Sequence, residues 1–116
     1  MKEAFPAWVA KEISGAKWGM DVEWQGSGYI LEINEKTRQI DVQFYERMPA
    51  GRYIATLDLP GDLRVGDLQK AVVYMMKVRI FSAPLSPQVS EFLAKEYSTK
   101  IEKLYRFEAV SLEEVS

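Results

Sequence analysis

The sequence predicts a mainly β protein: a five- or six-stranded antiparallel barrel with a short N-terminal helix and a second helix at about 86–99. Three observations lead there. Gln39 to Glu46 alternates, with Ile40, Val42 and Phe44 on one side and Gln39, Asp41, Gln43 and Tyr45 on the other. That period of two marks a strand with one buried face. Between Tyr29 and Phe81 four such runs are separated by turn signals, at spacings typical of a small, strongly curved sheet. After Ser82-Ala83-Pro84-Leu85-Ser86-Pro87 the period changes to that of a helix.

Each element follows from its residues. In the first fifteen, Pro6 suits a first helical turn, and Phe5, Trp8, Val9 and Ile13 recur at helical spacing before Gly15, predicting a helical arm over 1–15. Lys17 to Gln25 reads as a strand, with Trp18, Met20, Val22 and Trp24 on the face expected in the core and Asp21, Glu23 and Gln25 opposite. Gly26-Ser27-Gly28 is expected to break or bend it, and Tyr29 to Ile33 resumes it. Asn34 to Arg38 is a polar hairpin loop, Arg47 to Arg52 a second connection, and Tyr53 to Leu59 the next strand.

A turn-rich stretch, Pro60 to Asp67, precedes the longest apolar run, Ala71 to Phe81. There Val72, Tyr74, Met76, Val78 and Ile80 share one face. The start of the other face, Ala71, Val73 and Met75, is apolar as well, which predicts cover by the following helix. That helix has Ser86 as N-cap, Pro87 as first residue and the stripe Val89, Phe92, Leu93, Tyr97. Residues 101–112 read as a final strand or as an extension of the helix; with Tyr105, Phe107 and Ala109 on one face, the strand is favoured.

Composition bounds the function. A chain of 116 residues with 47% hydrophobic and 28% charged residues is the size of one domain, 1–116, and can bury a real core. No apolar run is long enough to span a bilayer, and no apolar segment backs the basic residue near Met1, so a soluble, cytoplasmic protein with no membrane partner is expected. There is no cysteine and no histidine. Thiolate and imidazole metal sites are excluded, as are the nucleophile–histidine pairs of hydrolases. No enzymatic activity, no cofactor and no metal are therefore expected. Asp58, Asp62 and Asp67 lack calcium-loop spacing and read as turn residues. The net charge of −2 is unevenly spread, with +4 across residues 64–106.

The bent, glycine-containing segment Gly28 to Ile33, the alternating Gln39 to Phe44 and the turn ending in Val65-Gly66-Asp67 resemble the OB-fold over residues 18–81. Sm-like and Tudor-like barrels share these motifs. One departure is plain: the usual OB helix lies between the third and fourth strands, whereas Pro60 to Gln69 is too short and glycine-rich for one. The resemblance implies binding of oligonucleotides, oligosaccharides or proteins through one sheet face and its loops.

The residues themselves point to single-stranded DNA or RNA. Tyr45, Tyr53 and Phe81 are the rings expected at the surface, and each has basic neighbours: Arg47 and Arg52 between the tyrosines, Lys77 and Arg79 before Phe81. Rings stack on bases while cations hold phosphates. The alternative is a protein-interaction or assembly subunit, or a homo-oligomer, using Met75, Met76 and Trp8. Either way the chain is expected to bind rather than catalyse, alone or within a nucleic-acid-processing complex.

Overall fold

The computed structural model describes residues 5–98 and 100–115. Its elements are α1 (Ala7–Ser14), β1 (Gly19–Asn34), β2 (Gln39–Phe44), β3 (Ile54–Asp58), β4 (Val73–Pro84), α2 (Pro87–Tyr97) and β5 (Lys103–Glu114), with one 3-10 turn at Val65–Asp67. Five strands close into a barrel in the order β1-β2-β3-β5-β4. The antiparallel expectation holds for β1–β2 and β2–β3, but β3 and β5 run parallel, pairing Leu57 with Phe107 and Asp58 with Glu108. Residues 101–112 are strand from Lys103 onward, not helix.

By Cα packing the chain divides into two compact units: residues 1–19 with 82–105, and residues 20–81 with 106–116. The second holds the barrel core. Ile40, Val42 and Phe44 of β2, Tyr74, Met76, Val78 and Ile80 of β4, Ala55 and Leu57 of β3, and Phe107 and Ala109 of β5 are all buried. Burying a side chain of Val, Ile or Phe size contributes about 1.5–3 kcal/mol, so these alternating faces drive closure. The run around Met48 and Ala50 adds to them: Met48 is fully buried in the same cluster and Ala50 packs against it, though neither lies in a strand.

β1 is where sequence and structure part most. It runs unbroken for 16 residues, so Gly26 and Gly28 do not interrupt it. Each glycine makes room instead. A Cβ on Gly28 would collide with the Gln43 carbonyl oxygen of the paired strand, and one on Gly26 would collide with the Trp24 ring. The irregularity comes later, between Ile30 and Glu32. There one extra residue shifts the inward phase: Gly26, Gly28 and Ile30 face in before it, and Ile33, paired with Ile40, packs on the core after it.

The first half of β1 corrects the expected core face. Met20 and Val22 are exposed, Trp18 is half-buried within the other unit, and only Trp24 packs on the barrel core, edge-on to Phe44 with centroids 5.0 Å apart. Met20 and Val22 lie well beyond the end of β2, whose register with β1 begins at Gly28 opposite Phe44.

The other unit holds the helix pair. Val9 of α1 and Val89 and Leu93 of α2 are buried together, with Ile13, Leu85, Phe92 and Ile101 packed on them. Ser86 caps α2 as its sequence predicts, accepting from the Val89 N–H at 3.3 Å, and donates its hydroxyl to Glu12 of α1 at 2.6 Å. Ser98, in the left-handed region at φ 53°, ends the helix. The stripe of α2 is thus engaged by α1, and Ala71 and Met75, for which the sequence predicts cover, are exposed.

Candidate nucleic-acid interface

The outward face of β1, β2 and β3 is built in rows by the strand register. Tyr29, Gln43 and Ile54 lie directly opposite one another across the three strands. The phase that sends Ile30, Val42 and Ala55 inward sends these three outward. Tyr45 lies on the same side just past the end of β2, where its N–H donates to the Ser27 carbonyl at 3.0 Å and its ring lies 5.9 Å from that of Tyr29. Tyr45, Tyr53 and Ile54 are 57%, 45% and 52% exposed, an unusual concentration of apolar surface at one end of a small barrel.

The connection from Tyr45 to Tyr53 is folded, not loose. Phe44 N–H donates to the Tyr53 carbonyl at 2.8 Å, Met48 N–H to the Arg52 carbonyl at 3.0 Å, and Gly51 N–H to the Met48 carbonyl at 2.8 Å. Gly51 sits at φ +81°, a conformation that costs glycine little. The buried Met48 side chain anchors the turn. On it, the Arg47 guanidinium lies 5.7 Å from the Tyr53 ring centroid, and that of Arg52 lies 5.3 Å from the ring of Phe107. Both are within cation–π range.

Two residues further along the strands the same face changes character. Asp41 accepts from the Thr56 hydroxyl at 2.6 Å, and Asp58 accepts from the Gln39 amide at 2.8 Å in the following row. Glu32 pairs with Lys70 at 3.2 Å. A groove of about 850 Å³ at this end is lined by Glu32, Glu35, Lys36, Asp41 and Thr56 among others. Behind it Arg38, held at φ 54°, donates to the carbonyls of Pro60 at 2.5 Å and Leu63 at 2.7 Å, fixing the turn-rich connection.

The seven residues singled out in the sequence fall into two groups. Tyr45, Arg47, Arg52 and Tyr53 gather around one connection. Lys77, Arg79 and Phe81 point outward from β4, which in the ring order neighbours β1 and β5 and not β2 or β3. Arg79 pairs with Glu23 at 3.3 Å, Arg106 of β5 lies over the Phe81 ring at 5.1 Å, and Lys77 borders a shallow groove with Gln25, Met75, Ser111 and Glu113. This second group therefore presents its cations beside carboxylates.

Sequence reading missed Tyr29 and Ile54. The signal existed: an inward Ile30 demands an outward Tyr29. Met76, named for an interface, is fully buried. Among the described residues no group of three or more Asp or Glu is placed to hold a metal ion, and no helix is long and apolar enough to cross a membrane. Comparison with family models, with curated proteins and with solved structures gives no match for this chain.

Proposed function

We propose that this chain is a non-enzymatic, OB-like binding module that takes single-stranded nucleic acid on the outward face of β1–β2–β3. The observation that carries the reading is the outward row Tyr29–Gln43–Ile54, half-buried at Tyr29 and Gln43 and exposed at Ile54, together with its neighbours. The exposed Tyr45 stands beside Tyr29, and the exposed Arg47 and Tyr53 lie on the adjoining connection. Bases stack on such rings without regard to sequence, and Arg47 and Arg52 supply the phosphate contacts. The closed five-stranded barrel supports the OB resemblance, whose members use the face of the second and third strands. The helix between β4 and β5 is this chain's own departure. Cytoplasmic single-stranded DNA or RNA, free or within a nucleic-acid-processing complex, fits the face equally.

Fluorescence anisotropy with short DNA and RNA oligomers tests it. Two arginine–phosphate contacts give a log–log salt slope of magnitude about 1.4. Tyr45→Ala with Arg47→Gln should abolish most of the binding while leaving the fold intact, since both side chains are at the surface. No binding at low salt, or binding retained in full by that double variant, would refute the proposal.

A second reading has its own observation. On the helix pair Phe5, Trp8 and Tyr97 are exposed, and with Phe92 they form a chain of edge-on ring contacts of 5.6 to 6.4 Å. Exposed aromatic clusters mark protein–protein surfaces, so a protein partner or a homo-oligomer is the alternative. Sedimentation of the chain alone, with a Trp8→Ala variant as control, separates a self-association from a monomer.

A further inference from the structure

We infer that the carboxylates Asp41 and Asp58 set the length of nucleic acid this face accepts, confining it to three or four nucleotides laid across the strands. The inference rests on the reading above and concerns the same face. Strands lie about 4.8 Å apart, so the row from Tyr29 to Ile54 spans about 10 Å, and Tyr45 stands two residues on from Gln43, on the loop side. A ligand running along the strands instead would meet Asp41 after two residues, about 7 Å, and Asp58 after four, about 13 Å. Asp41 and Asp58 are held by neutral donors, the Thr56 hydroxyl and the Gln39 amide, so those bonds fix their position without cancelling their charge. Glu32, in the Asp41 row, is partly offset by Lys70, and Lys36 and Glu35 line the same groove. Counting Arg38 behind the groove with Lys36 and Lys70, the carboxylates Asp41, Asp58, Glu32 and Glu35 leave a net negative charge along this part of the face, and about 7 Å lies within the Debye length of physiological salt.

The test is an anisotropy series with oligothymidylates of two to twelve nucleotides at low salt, on the wild type and on Asp41→Asn/Asp58→Asn. Both asparagines can still accept the Thr56 and Gln39 hydrogen bonds, so the variant keeps the sheet. Wild-type affinity should climb to three or four nucleotides and thereafter gain only the statistical factor of added registers. The variant should bind the twelve-mer about three- to tenfold more tightly, the effect of removing one or two like charges at this range, and its affinity should go on rising with length. Glu91→Gln/Glu96→Gln on α2 makes the same change in net charge and should leave the profile as in the wild type. Binding that rises steeply through eight to twelve nucleotides in the wild type overturns this inference while sparing the binding face. So does a double aspartate variant with the wild-type profile. No binding by the wild type at any length removes both.

Discussion

The two halves of β1 meet opposite fates. From Gly19 to Glu23 every residue is exposed, including Met20 and Val22, whereas from Gly26 to Ile30 every second residue is buried. The sequence alternation is in fact clearer in the exposed half, where Met20, Val22 and Trp24 interleave with Asp21, Glu23 and Gln25. What differs is the neighbour: the second half lies against β2, whose register starts at Gly28, and the first half outruns it. A period of two therefore specifies which residues share a face. Whether that face is covered depends on how far the paired strand extends, and that length is set elsewhere in the chain.

The comparison can be broken most forcefully at Trp24, on the border between the halves. Trp24→Ala should cost about 3 kcal/mol, the low end for an aromatic in a core, because its ring is only partly buried against Phe44. A urea midpoint unchanged from the wild type would place the border further along the strand. Next comes Gly28→Ala, where the added methyl meets backbone and not a flexible side chain. A loss of about 1–3 kcal/mol is expected from overpacking, and a neutral result would mean that β1 and β2 separate more easily than their register implies.

On the outward side of the buried half, Tyr29→Ala should weaken oligonucleotide binding by about 1–3 kcal/mol, the worth of one stacked base, read by anisotropy. Equal weakening by Met20→Ala would erase the distinction between the halves. The smallest effect belongs to Met20→Gln with Val22→Thr: less than about 0.5 kcal/mol each in thermal unfolding, as for other surface positions. A larger loss would show that the first half is covered in solution.

Much of this fold was legible in the sequence. Ile40, Val42 and Phe44, the inward face of β4 from Tyr74 to Ile80, and the Ser86 cap of α2 all follow from local patterns that tertiary structure leaves intact. The illegible parts depend on distant partners. Nothing near Leu31 announces the extra residue that shifts β1, because the bulge is defined by its pairing with β2. The parallel seam joins Leu57 to Phe107, fifty positions away in sequence. Of the candidate site, Tyr45, Arg47, Arg52 and Tyr53 were legible as rings and cations close in sequence. Their separation from Lys77, Arg79 and Phe81 was not, since only strand order decides which outward faces adjoin.

Met48 carries a consequence for the thermodynamics of binding. A loop that must order itself around a ligand loses backbone freedom worth about 1–2 kcal/mol per residue at the moment of contact. Here the turn between Tyr45 and Tyr53 is already fixed by the buried Met48 side chain and its own hydrogen bonds, so that loss falls in folding and is absent from association. Recognition on this face should accordingly show a small entropic penalty. Met48→Ala should raise that penalty in calorimetry even though Met48 never touches the ligand. The residue that ties this connection to the core is thus also the one that keeps Arg47 and Tyr53 in place before anything arrives.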